Sequence, residues 1–554
     1  MINCEKDIVL VNPKDGAMPY GCYATYENLG IAYLTASLRS NNISVGIVDA
    51  YARNLSYEDA AEEIISYKPK MVGFTATYLS IPEAVRIAEI LKKGLPDVHI
   101  TIGGEHATYA AEEIFLETKV FDSVIFGEGE VTVVDLADAI LNDRSLESVL
   151  GLGYRLDKKL KRNAFRPPIE DIDSIPFPAR DTLEYCIENN KPGLIGMLGS
   201  RGCKYNCSFC NANEFFNIGN KHICRKRSPQ NIVDELEYIY KNYYTKGLYK
   251  LIYFYDATFV YPNSSSRQWV KDICEGIIER DINISFEINA RADSFTGQDD
   301  ELLYLLKKAG LKSVFIGLES GSDGVLEKYN KKTSVKQNKK IIDILKYHGI
   351  QSTTNGFIMF NPFISTQGLK DSANFLVGVE QCTFWNLSQK VQLFPGIKMI
   401  EDLRSSDLLL DNYKHTEVYA YKFQYPEVAH LAEVLDFSDE EVPTRENHVI
   451  RYIEIMLTQL LDMVSQLDDL DNEQKEQIDE LNRLVNEARR DVFVTNRDFF
   501  VEVINLMERN WNVKQFKKMK DSYINDLGLK LELLSSNFEN FLGHIDMLTA
   551  DIQI

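Results

Sequence analysis

No apolar run in the 554 residues approaches the length of a membrane span. Positive charge is also in short supply: 61 Lys and Arg stand against 82 Asp and Glu, a formal net charge of −21. That balance argues against a nucleic-acid polyanion as main partner, because phosphate binding needs clustered Lys and Arg. The opening residues, Met-Ile-Asn-Cys-Glu-Lys-Asp, lack a secretory n-region. The nine cysteines are an odd number and do not pair off. A cytoplasmic location is therefore expected, with neither nucleic acid nor membrane as partner, and clustered cysteine there means metal or redox chemistry before disulfide. What remains, 45% hydrophobic and 26% charged residues, is the composition of a globular chain. Its length implies about two to four domains.

The cysteines concentrate in one stretch, Ser200-Arg-Gly-Cys203-Lys-Tyr-Asn-Cys207-Ser-Phe-Cys210-Asn, directly after the apolar run 194–198. Thiolates are soft ligands, and a compact loop carrying three of them can wrap one metal centre. Iron–sulfur cubes often take four cysteines, so three leave one iron open to an outside ligand. Two other readings stand beside this one. A zinc knuckle could recruit His222 or Cys224 to close a tetrahedral site, or the cysteines are buried and metal-free. The Cys-x3-Cys-x2-Cys spacing and its flanks resemble the radical S-adenosylmethionine (SAM) enzymes. The resemblance implies a [4Fe-4S] cluster on Cys203, Cys207 and Cys210, with SAM on the open iron. It also implies reductive cleavage of SAM to a 5'-deoxyadenosyl radical.

Upstream, apolar runs at 8–11, 45–48, 71–75, 99–103 and 124–126 suit buried parallel strands. Helical patterns at 29–40, 57–67, 81–93, 108–116 and 131–141 lie between and after them. The expected α/β fold is a doubly wound, Rossmann-like sheet over residues 1–150, which binds ligands beyond its strand carboxyl ends. Two glycine loops fall at such ends, Gly103-Gly104-Glu105-His106 and Gly127-Glu128-Gly129-Glu130. Glycines there permit close approach by a ligand or simply make tight turns.

In this order, ahead of the cysteine stretch, they resemble the cobalamin-binding domain of class B radical SAM enzymes. Asn12-Pro13, Asn28-Leu29-Gly30 and Asp49 belong to the same likeness. It implies cobalamin contacts at Asn12, Gly103, Gly104, His106, Gly127, Glu128 and Gly129. The loop 12–28 contains no histidine, so the Asp-x-His-x-x-Gly signature is absent. Cobalamin without a histidine axial ligand is expected, with His106 a pocket or structural residue.

Residues 151–190 read as a hairpin and a proline-bearing connector. From 191 to 405 alternation resumes, with strands at 194–198, 251–255, 285–288, 313–316, 354–359 and 390–393. Helices are expected at 229–243, 265–278, 300–308, 335–347 and 366–379, with Gly310 and Gly349 placed as helix C-caps. Six such units make a partial (β/α)6 barrel with chemistry at its strand carboxyl ends. The family likeness places SAM contacts there. Phe209 resembles the aromatic beside the adenine, and Asp256 the acid facing the methionine amine, although Asp256 also suits a turn or helix cap. Arg291 is a candidate partner for the SAM carboxylate, since Arg grips planar anions bidentately, and a surface ion pair is its plain alternative. Glu319 and Ser320, in Gly317-Leu-Glu-Ser-Gly321, fall near the ribose or methionine end. Gly356-Phe-Ile-Met-Phe-Asn361-Pro362 resembles the family's fifth-strand adenine segment, though Asn361 stands where glycine is commoner in the family. Ser228 reads as a helix cap.

Residues 406–554 are expected to be mainly helical. Ile478, Leu481, Val485, Ala488 and Val492 form an apolar stripe, either packed on the chain's own core or part of a substrate-gripping lid. The resemblance implies a cobalamin-dependent radical SAM methyltransferase acting on an unactivated carbon of a natural-product intermediate or peptide. A flavodoxin or ferredoxin would donate electrons. Cyclisation, ring contraction or oxidation with the same cofactors is the first alternative, and a metal-binding protein without turnover the second.

Overall fold

The computed structural model describes residues 5–14, 25–216, 218, 224–354, 356–437, 441–464 and 470–551. Cys4, Cys22 and His222 lie outside them, as does most of the loop after the first strand. Two compact units form: residues 1–315 with 392–421, and residues 316–391 with 422–554.

The first unit holds strands β1 (Ile8–Asn12), β2 (Thr25–Tyr26), β3 (Val45–Asp49), β4 (Met71–Thr75), β5 (His99–Gly103), β6 (Ser123–Ile125), β7 (Leu152–Leu156) and β8 (Lys159–Arg162). Seven of them make one sheet ordered β3-β1-β4-β5-β6-β7-β8. The five strands read from sequence are parallel, and β7 and β8 add an antiparallel edge. The hairpin read as part of the joint is thus the rim of this sheet. Val9, Val11, Val72, Ile100 and Ile102 bury one face, while Ile8, Leu10 and Met71 bury the other. Continuous apolar strands are what a sheet covered on both sides requires. The chain order reverses between β1 and β4, which creates a crevice at their carboxyl ends. The helix expected at 108–116 is two, Glu105–Tyr109 and Ala111–Glu117.

The same unit contains β9 (Gly193–Met197), the short pair β10 (Ser200–Arg201) and β11 (Arg225–Lys226), β12 (Ile252–Phe254), β13 (Phe286–Arg291) and most of β14 (Leu311–Gly317). β2, β9, β12, β13 and β14 follow one another in a second sheet, with helices Pro229–Ile239, Ser264–Glu279 and Asp300–Lys308 as crossovers. Ser228 caps the first of these by accepting the Asn231 N–H at 3.2 Å. Gly310 and Gly349 take positive φ just past their helices, as a C-cap requires.

The second unit carries the end of β14 and β15 (Gln351–Thr353), and its other regular elements among the described residues are helices. Among the described residues of 354–359 no strand forms, because the Phe357 N–H turns back to the Thr354 carbonyl. The strand expected at 390–393 is reduced to single bridges, Phe360 to Lys390 in this unit and Leu393 to Tyr419 in the first. Residues 406–421, expected to open the helical tail, carry no helix and belong to the first unit. Helices Glu441–Val464, Asn472–Asn510 and Val513–Asp551 build the rest. Ile478, Val485, Ala488 and Val492 are buried, on the helix that packs against its successor and against Thr366–Gly378. Among the described residues no helix is long and apolar enough to cross a membrane.

Candidate functional site

The three cysteines lie on a loop whose neck is the antiparallel pair β10–β11. Gly202 begins it at φ +83°, a left-handed turn that a side chain would strain. None of the three is in a disulfide; Cys207 is buried, Cys203 and Cys210 half-buried. The Cys210 N–H donates to the Cys207 carbonyl at 3.2 Å, and the Met399 N–H donates to the Ser208 carbonyl at 2.8 Å. Among the described residues no three His, Cys, Asp or Glu side chains lie close enough to hold a single metal ion. Three thiols spread along one loop fit what a cluster with one iron open would need.

Asp256 is completely buried and faces the start of this loop. It accepts the Gly199 N–H at 2.8 Å and the Ser200 hydroxyl. Burial pushes its carboxyl up to about 6, against those two hydrogen bonds and the nearby Lys226 charge. It braces the loop and caps no helix. Lys226 is itself lowered to about 8 by burial, with its ammonium 3.9 Å from the Trp269 ring centroid. Phe209 is half-buried beside Cys210. Arg291, only 4% exposed, faces the loop and not solvent, so the surface ion-pair alternative falls.

In the second unit Glu319 and Ser320 are both buried. Glu319 adopts φ +64° and pairs with Lys331 at 2.6 Å. A Cβ on Gly317 would sit 2.6 Å from Glu319 Oε1 and 2.9 Å from Lys331 Nζ, so glycine there makes room for the pair. Left-handed backbone at a non-glycine residue is stored strain of the kind found at ligand sites. Asn361 Nδ2 is buried with no hydrogen-bond partner, an orphaned donor in the segment where adenine is expected.

A cavity of about 200 Å³ opens between the first sheet and its helices Leu29–Ser40 and Glu130–Leu141. Its lining is mostly apolar and includes Gly103, Gly104, Gly127, Glu128 and Gly129. Gly104, at φ +98°, would place a Cβ 3.1 Å from Thr75 Oγ1. A cavity of this volume and polarity suits an apolar portion of a bound cofactor. Arg201, Phe215 and Phe216 of the cysteine segment line the same cavity.

Asn12 and His106 do not line it. Asn12 Nδ2 donates to Asp49 at 2.9 Å and its Oδ1 accepts from Asn28 at 3.2 Å, so the two asparagines and Asp49 hold each other. His106 Nε2 lies 2.6 Å from the His415 carbonyl, and burial lowers its pKa against that contact. Glu128 is engaged by the chain as well. Its Oε1 accepts from Arg201 at 3.0 Å and from Arg225 at 2.9 Å, and its Oε2 accepts the Ile169 N–H at 2.8 Å. Burial alone would raise this carboxyl; Arg225 and Arg201 override that and hold it below the usual range. That Arg201 and Arg225 join the glycine loop to the cysteine loop, and that Tyr205 and Asp293 meet beside it, is not legible in the sequence. The one local signal is that Arg201 stands two residues before the first cysteine.

The "B12 binding domain" family model matches residues 22–137, and the "Radical SAM superfamily" model matches residues 197–376. The chain is 30% identical over 410 residues to an uncharacterized methyltransferase of Pyrococcus horikoshii, covering 73% of this chain and 84% of the relative. It is 29% identical over 416 residues to the anaerobic magnesium-protoporphyrin IX monomethyl ester cyclase of Rubrivivax gelatinosus, covering 74% and 67%. The solved structure of the cobalamin-dependent SAM radical enzyme OxsB with aqua-cobalamin bound superposes with a TM-score of 0.67 at 19% identity. That match covers 97% of this chain and 80% of that one, and it carries the fold alone. With both domains in the expected order and a relative matched along most of its length, the chain belongs to the cobalamin-binding radical SAM enzymes.

Proposed function

We propose that the chain transfers a methyl group to an unactivated carbon of a small molecule or peptide. When bound, the cluster with SAM supplies a 5'-deoxyadenosyl radical, and cobalamin supplies a transferable methyl group. One observation carries the two-cofactor reading: Arg201, Phe215 and Phe216 of the cysteine segment line the same cavity as the cobalamin-type glycines.

In this reading the chain binds, aligns and excludes water. Cys203, Cys207 and Cys210 provide thiolates. Asp256 fixes the entry to their loop through Gly199 and Ser200. Glu128 fixes the neck of that loop to the glycine turn, so the two cofactor regions keep one relative position. In the second unit the left-handed Glu319 is held by Lys331 and the Asn361 amide is orphaned, and the family likeness assigns both segments to SAM. His106 Nε2 faces the His415 carbonyl, so His106 is given no part in holding cobalt.

A relative named as a methyltransferase supports methylation, and one named as a cyclase, matched over as much of the chain, supports ring formation as the second reading. Anaerobic reconstitution with iron, sulfide and hydroxocobalamin comes first, with about four irons and one cobalt expected per chain. Incubation with SAM, reductant and candidate substrates then separates the readings. S-adenosylhomocysteine formed in step with product means methylation; 5'-deoxyadenosine and product without it mean cyclisation or another rearrangement. Zinc in place of iron would sink both.

A further inference from the structure

Arg291 ends β13, and its surroundings commit it to the cysteine loop. Its backbone N–H donates to Ser294 Oγ at 3.0 Å, and that hydroxyl donates to the Val260 carbonyl at 2.7 Å. Arg291 Nε donates to Asp293 Oδ1 at 2.9 Å. The other carboxylate oxygen of Asp293 accepts the Tyr205 hydroxyl at 3.0 Å. The guanidinium carbon lies 3.5 Å from the centroid of the Tyr205 ring, and Nη1 points at Cys207 Sγ, 3.7 Å away. Tyr205 and Cys207 are both in the cysteine stretch. The cation is therefore clamped between an aromatic face and a ligand thiol of one loop.

We propose that Arg291 is a positioning residue for the cluster itself, a fixed cation that donates to the Cys207 thiolate and raises the cluster's reduction potential. The proposal rests on the cluster reading above. Reduction adds one electron from an external donor, with no bond broken and no proton moved at Arg291. An N–H donor and a positive charge beside a ligand sulfur stabilise the more negative, reduced form more than the oxidised one. Arginine suits the place because it cannot shed its proton on burial. The Tyr205 face offsets part of its desolvation. Asp293 sits on the far edge of the guanidinium, so the pair presents its positive end to the sulfur and Asp293 tempers the effect.

The rival role, gripping the SAM carboxylate, makes a different prediction. If Arg291 acted on SAM alone, its loss would weaken SAM binding and leave the SAM-free potential where it was. The test uses the full reconstituted chain as wild type, R291Q, R291K and D293N. Iron per chain is measured first. Midpoint potentials follow by titration with dithionite or titanium(III) citrate, read by electron paramagnetic resonance without SAM.

R291Q is expected to load iron fully and to be at least about tenfold harder to reduce, a shift of about 59 mV to more negative potential for a one-electron couple. R291K should fall between R291Q and wild type. D293N, which removes the tempering charge, should move the potential the other way, a sign that a merely structural role would not produce. If R291Q takes up no iron, R291K and D293N decide by shifting in opposite directions. Loaded variants at the wild-type potential, or all shifted one way, overturn the proposal and leave the cluster reading standing. Wild-type protein that binds no iron overturns the cluster reading and this inference with it.

Discussion

Replacing Glu446 with glutamine is expected to flatten the pH dependence of the helical unit's stability between about pH 5.5 and about pH 8.5. Glu446 is fully buried on the helix Glu441–Val464. Its Oε2 accepts the Phe384 N–H at 2.9 Å and its Oε1 accepts the Asn496 amide at 2.7 Å. Asn496 also donates to the Cys382 carbonyl at 2.8 Å and accepts the Tyr523 hydroxyl at 2.9 Å. Among the described residues no Lys or Arg offsets the burial, which outweighs the two hydrogen bonds and lifts the carboxyl from 4.5 to about 7. The folded state therefore holds the proton more tightly than the unfolded chain. Its contribution is complete below the unfolded value and is lost as pH rises through about 7. A shift of that size is worth about 3 kcal/mol in all, of which about 2 kcal/mol falls between about pH 5.5 and about pH 8.5.

Glutamine does not titrate, so this slope disappears. It also sets its own N–H against one of the two donors, which costs about 1–3 kcal/mol at every pH. The offset and the slope are separable: urea unfolding followed by far-ultraviolet circular dichroism, across the pH range, gives both. Glu27 and Asp256 are buried acids raised to about 7 and about 6. They add pH dependence to wild type and variant alike, and cancel in the difference. Cys382 and Tyr523, the titratable neighbours in the network, are pushed further up by burial and stay neutral throughout. Equal slopes for the two proteins would refute the reasoning and mean that Glu446 is charged in the folded chain across the range.

Arg180→Met is expected to destabilise the first unit by about 3–5 kcal/mol, because it strips a buried cation from Glu27 and Glu235. Adding Glu27→Gln should recover part of that loss, as thermal unfolding of the single and double variants will show. Gly103→Leu should lower cobalt per chain and leave iron unchanged, since Gly103 lines the cavity and a Cβ there meets only ordinary contacts at 3.7 Å. Cys207→Ala should abolish iron uptake after reconstitution with little change in cobalt, both read by elemental analysis.

The parallel strands were legible because each is a short apolar run buried on both faces, and the cysteine loop because its spacing is local. What escaped depends on partners far along the chain. β2 is two residues long and has no pattern of its own; it exists by pairing with β9 across more than a hundred residues. Glycines in 103–104 and 127–129 do line a cavity, yet Glu128 beside them is spoken for by Arg201, 73 residues away, and Arg225, 97 residues away. The family likeness sets Asp256 toward SAM, and sequence gives no sign that its carboxylate also accepts from Gly199 and Ser200, more than fifty residues away. Chemistry-bearing residue types mark where a site is. Which neighbour each one serves is set by tertiary contacts that no window of sequence contains.

The neck of the cysteine loop shows why so much charge is buried there. Arg201 and Arg225 are direct partners across β10 and β11, and like charges facing each other on a strand pair repel. Both are 5–9% exposed at the side chain, so water does little to screen them. Glu128 sits between them and hydrogen-bonds to both, while Glu130 takes the second edge of Arg201. A buried ion group of this kind adds little stability over an apolar core, but it tolerates few arrangements. Slipping one strand of the neck by one residue would turn its arginine to the opposite face and leave the buried Glu128 with fewer donors. The neck can close in one register only, and in that register the thiol loop stands against the glycine turn.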